Sequence, residues 1–138
     1  MNNEVAFKLD TYRFQKASLN FDIPNKAELS INFMPSGKFY KKENRYELSF
    51  DVLVTCKDTD STVISVSCIA SFIFTSEVTF NDIPDFFYPN SLAILFPYIR
   101  AFVSTISLQA NVSPIILPTV NLMGLTGKLR KNTSINEG

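Results

Sequence analysis

Four segments of the chain alternate apolar and polar residues with a period of two, the pattern of half-buried β-strands. In the first, Val5 to Phe21, the residues Val5, Phe7 and Leu9 share one face; the phase then slips to Tyr12 and Phe14, and Leu19 and Phe21 return to the original set. A long strand with a bulge near Thr11 accounts for the slip. In the second, Ala27, Leu29, Ile31 and Phe33 alternate with Glu28, Ser30 and Asn32, and the run Pro35-Ser-Gly37 is expected to end the strand. The third sets Tyr46, Leu48, Phe50, Val52, Val54 and Cys56 against Glu47, Ser49 and Asp51. The fourth, Thr62 to Thr75, places Ile64, Val66, Cys68, Ala70, Phe72 and Phe74 on one face and mostly serines on the other. The turn-forming cluster Asp58-Thr-Asp-Ser61 joins the last two as an antiparallel hairpin. A slip of one residue would turn every side chain to the opposite face, so even positions must pair with even, Val54 with Ile64 or Val66. That register holds Cys56 and Cys68 roughly 13 Å apart, beyond the reach of a disulfide, and both read as small buried hydrophobes.

The pattern changes after Asn81-Asp-Ile-Pro-Asp85: from there to Gly127 the only charged residue is Arg100. Ser91 to about Gln109 predicts a helix, capped by Asn90 or Ser91, with Pro97 as a kink or restart. Leu92, Ala93, Ile94, Leu95, Phe96, Ile99, Ala101, Phe102, Val103 and Ile106 make it apolar on nearly every side. Such a helix cannot lie on one sheet with its back to water, and a small four-stranded sheet covers only one side; a second copy of the chain is expected on the other. Pro114-Ile-Ile-Leu-Pro118 follows as an extended connector, because Pro118 keeps Leu117 out of helical geometry. Met123-Gly-Leu-Thr-Gly127 is short and glycine-rich, and Lys128 to Gly138 reads as a polar, disordered tail. The fold class expected is α+β: a four-stranded antiparallel sheet packed on one long helix, with a short or absent second helix, in one domain over residues 1–127 followed by a tail over 128–138.

Composition narrows the function. Thirteen basic and thirteen acidic residues give zero formal charge, so the basic excess of a nucleic-acid footprint is missing. No histidine is present, which removes the usual general base and the commonest metal ligand. Glu77, Asp82 and Asp85 are the only acids clustered near the apolar stretch, and a solvated loop explains them. The expectation is no enzyme, no cofactor and no metal. Met1 to Asp10 lacks the basic start and apolar run of a secretory signal. Ser104, Thr105, Ser107, Gln109, Asn111, Ser113 and two prolines break the apolar stretch short of the ~20 residues of a membrane span. The expected location is therefore the cytoplasm, without stable membrane insertion.

Leu95-Phe-Pro-Tyr-Ile-Arg100, followed by Pro114-Ile-Ile-Leu-Pro-Thr-Val-Asn-Leu122, resembles the signature of the SecB export-chaperone family. Tyr88-Pro-Asn90 ahead of the helix and the Pro-Asn pair within Ile23 to Asn25 extend the likeness, which covers most of Val5 to Leu125. The resemblance implies a dimer of dimers with helices sandwiched between sheets, and an ATP-independent holdase that binds unfolded or export-bound polypeptide in hydrophobic grooves. The alternatives it leaves open are a chaperone dedicated to the antitoxin of a toxin-antitoxin pair, or a non-catalytic structural or adaptor oligomer. The partners implied are unfolded preproteins or an antitoxin, further copies of the chain and, in the family, the SecA motor. Three departures bear on this: Pro24-Asn-Lys26 replaces a long aromatic crossover, the second helix is short, and the chain is neutral where the family is acidic.

The candidate client-binding residues are Phe33, Phe39 and Tyr40 at the exit of the second strand, Phe86 and Phe87 before the helix, and Ile115 and Ile116 in the connector. Each is an apolar side chain in a segment expected to stay partly open. Leu95, Phe96, Tyr98 and Phe102 are assigned to the oligomer interface, with Arg100 paired there to a carboxylate or to carbonyls, since a buried unpaired cation would cost several kcal/mol.

Overall fold

The computed structural model describes residues 5–118 and 123–138. Its strands are β1 (Phe7–Leu19), β2 (Leu29–Tyr40), β3 (Arg45–Cys56), β4 (Thr62–Phe74) and β5 (Thr133–Asn136). Its helices are α1 (Phe87–Gln109) and α2 (Met123–Lys131), with one 3₁₀ turn at Phe80–Asp82. The sheet order is β1-β4-β3-β2-β5. The first four strands pair antiparallel, whereas β5 lies parallel to β2, Gly37 opposite Thr133 and Tyr40 opposite Asn136. The sheet is thus five-stranded and mixed, where four antiparallel strands were expected.

Parity sets the central register as anticipated, with Val54 opposite Ile64 and Phe50 opposite Cys68. Cys56 lies six residues beyond Phe50, so the buried, free cysteines stand ~20 Å apart along the sheet. β1 carries two register shifts, Leu9/Thr11 and Phe14/Lys16, where one bulge was expected. The second returns Ala17 and Leu19 to the helix side of the sheet, opposite Val66 and Ile64.

Contrary to expectation, β2 runs through Pro35-Ser-Gly37. The N–H groups of Gly37 and Lys41 donate outward to Asn132 and Asn136, so the odd residues of β2 face the β5 edge and not β3. The N–H that proline lacks would have pointed at an open edge, and no β2–β3 bond is lost. Gly37 has its own reason: a methyl there would overlap the hydroxyl and ring of Tyr46, which crosses directly over its Cα.

Helix α1 begins at Phe87, four residues before the expected start, with Pro89 in the first turn where a missing N–H costs nothing. No side chain caps it. Leu92, Leu95, Phe96, Ile99 and Val103 pack onto the inner sheet face, whose central rows are fully buried: Phe72 and Tyr46, Ala70 and Leu48, Cys68 and Phe50. At the far end Asn111 takes a left-handed conformation (φ 62°), and the Val112 N–H returns to the Ser107 carbonyl at 3.3 Å, closing the helix. Residues 128–138, expected as a disordered tail, instead complete α2 and form β5. Leu125 and Leu129, one turn apart, are buried and anchor α2, which is the short second helix. The last four residues of the proline-bracketed motif, Thr119–Leu122, lie outside the described residues.

Candidate functional site

Burial of one stripe of α1 leaves the opposite stripe apolar and open: Ala93, Ile94, Pro97, Tyr98, Ala101 and Leu108 are exposed. By length and composition α1 could cross a membrane, yet its buried stripe packs on the sheet as a core helix does. The edge strand β1 extends this open face. Tyr12 sits with its ring 4.5 Å from that of Tyr98, and Phe14 stacks on Phe102 at 3.9 Å. A shallow depression of about 450 Å³ lies on the same side, lined by Phe96, Pro97, Arg100, Ala101, Ser104 and Ile116. Arg100 is exposed at its rim and makes no hydrogen bond or ion pair among the described residues.

A second opening, about 440 Å³, lies where α1 ends. Phe21, Ile23, Ala27 and Leu29 line it from the β1–β2 side, and Val112 and Ile115 from the connector. Ser107 holds the connector there: its hydroxyl donates to the Ser104 carbonyl at 2.9 Å and accepts the Ile115 N–H at 2.9 Å. The opening adjoins β2, and among the described residues nothing pairs with the outer edge of β2 from Leu29 to Ser36.

The structure divides the predicted client-binding set. Ile116 is 63% exposed, Phe86 is exposed beside Phe7, and Ile115 is half-buried in the opening just described. Tyr40 is half-buried under the Arg45 guanidinium, 4.1 Å from its ring. Phe33, Phe39 and Phe87 are core residues and form no part of an accessible surface. Phe33 packs on Phe50 and Phe96, Phe39 on Phe74 and Phe80, and Phe87 between Tyr46, Phe72 and Phe74. The interface set divides likewise: Leu95 and Phe96 face the sheet, while Tyr98 and Arg100 face outward and Phe102 is half-buried. Sequence reasoning missed Tyr12, Phe14, Phe21, Ile23 and Val112. The phase slip in the first strand marked the first two as out of step, and that was the available signal.

Burial holds the Tyr46 hydroxyl far above its ordinary range, so it stays protonated and donates to Thr133 Oγ1 at 2.6 Å. Burial likewise pushes the Cys68 thiol up to about 11, while a hydrogen bond from Thr59 holds Cys56 below its usual value. Among the described residues no cluster of three His, Cys, Asp or Glu could hold a metal ion.

Against known proteins, the family described as preprotein translocase subunit SecB matches over residues 14–132. A protein of Methanocaldococcus jannaschii described as uncharacterised is 30% identical over 117 residues, spanning 80% of this chain and 75% of that one. The protein-export protein SecB of Magnetococcus marinus is 24% identical over 151 aligned positions, spanning 99% of this chain and 96% of its own. Among solved structures, the fold matches the Mycobacterium tuberculosis SecB-like chaperone Rv1957, in complex with a ChAD peptide from the HigA1 antitoxin. That match has a TM-score of 0.68 at 13% identity and covers 83% of this chain and 88% of that one.

Proposed function

Since the chain belongs to the SecB family, we propose that it is a non-catalytic, ATP-independent holdase of the cytoplasm that keeps unfolded or export-bound polypeptide from aggregating. The observation that carries the reading is the apolar opening at Phe21, Ile23, Leu29 and Ile115 beside an unpaired stretch of β2 edge. Apolar side chains of an extended client fill such a trough, and its main chain adds to the edge. Phe86 and Ile116 supply further exposed apolar contacts. The open stripe of α1, continued by Tyr12 and Phe14, is the contact between copies, as a dimer or a dimer of dimers. Docking on SecA forms no part of the proposal, because the basic residues Lys128, Arg130 and Lys131 are taken up in α2.

A second reading, a chaperone dedicated to one antitoxin, is favoured by the brief Pro24-Asn-Lys26 crossover and by the fold shared with a chaperone solved with an antitoxin peptide. Light scattering from reduced lysozyme, followed without ATP while the mass of the chaperone is determined, tests the first reading. Suppression by an oligomer is expected; a monomer that leaves aggregation unchanged would reject both the client surface and the α1 contact. A client range confined to one antitoxin would select the second reading. Replacing Arg100 with Ala is expected to shift the oligomer toward smaller species, and an unchanged mass would remove Arg100 from the contact.

A further inference from the structure

One edge of β2 serves two stretches of different status. From Gly37 to Tyr40 it is covered by β5; from Leu29 to Ser36 no described residue pairs with it. The two stretches are collinear, and the odd residues face outward along both, since Gly37 and Lys41 donate to Asn132 (3.2 Å) and Asn136 (3.0 Å). Leu29, Ile31 and Phe33 therefore present both N–H and C=O to the open stretch, and Pro35 a carbonyl only.

The cover is weakly held. β5 is four residues long and parallel, with Ser134 and Ile135 exposed. Its side-chain anchor is Thr133, whose hydroxyl accepts from Tyr46 Oη and donates to the Leu129 carbonyl, both at 2.6 Å. Helix α2, by contrast, is fixed by buried Leu125 and Leu129. The Asn132 N–H is bonded back to Lys128 and Leu129, so β5 can leave the sheet without unwinding α2. Short elements with few buried apolar contacts open at low free energy.

We propose that β5 is a built-in competitor for the β2 edge, displaced when an extended polypeptide pairs along the whole of β2 from the Leu29 end. The inference rests on the reading that this chain binds unfolded polypeptide, and it adds a strap that limits how far a bound strand extends. In the closed state only the Leu29–Ser36 stretch is offered; occupancy of Gly37–Tyr40 requires release of Thr133–Asn136.

The test compares two fluorescent peptides of alternating Val and Lys. One, of about eight residues, spans only the open stretch; the other, of about fourteen, spans all of β2 at ~3.3 Å per residue. Each is titrated against the full chain, a chain ending at Asn132, and the variant Thr133→Val, which keeps the strand but loses both hydroxyl bonds. Truncation is expected to tighten the longer peptide fivefold or more and leave the shorter within twofold, with Thr133→Val intermediate, because a closed strap multiplies the apparent affinity by the open fraction. Hydrogen exchange on the full chain is expected to speed up at Thr133–Asn136 when the longer peptide binds. Equal affinities across the three chains, with β5 protection unchanged on binding, would overturn the strap and leave the holdase reading standing. Failure of both peptides to bind any of the chains would overturn both.

Discussion

Alanine at Gly37 is the sharpest probe of how the C-terminal strand is attached. The added methyl would overlap the Tyr46 hydroxyl and ring, and Tyr46 cannot slide away: it is fully buried, with the Phe87 ring at 4.6 Å and the Tyr88 ring at 6.2 Å. Overpacking of this kind costs ~1–3 kcal/mol. A displaced Tyr46 also loses Thr133, and a buried hydroxyl without a partner costs a further ~1–3 kcal/mol. Stiffening the unfolded chain by the Gly-to-Ala change returns only ~0.4–1 kcal/mol. The net loss is ~2–4 kcal/mol out of the ~5–15 that hold a domain together. Urea unfolding at fixed protein concentration reads it directly: at a slope of ~2 kcal/mol/M the midpoint falls by ~1–2 M. Ser36→Ala, one residue away on the other sheet face, is the control and stays within ~0.5 kcal/mol. A Gly37→Ala midpoint within ~0.3 M of the parent would refute the steric argument.

Asn44 sits in the left-handed region (φ 53°), and its amide reaches the Phe74 and Ser76 carbonyls and the Val78 N–H. Asn44→Ala is expected to lower stability by ~2–3 kcal/mol in thermal melts and Asn44→Gly by ~1 kcal/mol less, since glycine accepts that backbone geometry. Both cysteines are fully buried, so alkylation mapped by mass spectrometry should be far slower at each in the folded chain than in urea. Equal rates in the folded and the unfolded chain would contradict that burial. Ile116→Ser should weaken protection of reduced lysozyme while melting stays within ~0.5 kcal/mol of the parent, whereas Phe39→Ala, in the core, should cost ~3–5 kcal/mol.

The hairpin of β3 and β4 was legible because its inner face is buried along its whole length, so alternation alone specified register. The all-round apolarity of α1 correctly announced a helix with more greasy surface than one sheet covers. Pro35 and Gly37 misled for a shared reason: a breaker signal is local, whereas the side toward which a missing N–H points depends on the order of strands. That order depended on β5, and Thr133-Ser-Ile-Asn136, with one large apolar residue, has no pattern to read. It is held by main-chain pairing and by a threonine under a buried tyrosine. Among the site residues, exposure of Ile116 and Phe86 followed from their flanking prolines and lack of strand or helix pattern. Phe39 and Phe87 were placed outside because their sequence neighbours looked like turns. What encloses them comes from far along the chain: Phe74 and Phe80 for one, Phe7 and Phe72 for the other.

The pairing of residues near 37 with residues near 133 has a consequence in time. Synthesis runs from the N-terminus, and the strands and α1 are complete before Thr133 has been added to the growing chain. Contacts between positions so distant along the chain also form slowly. Until Thr133–Asn136 have been made, no other described residue covers Gly37–Tyr40, and that flank of β2 is bare. Crowded nascent copies that meet in that interval are expected to pair along the bare edge, which Thr133–Asn136 later close.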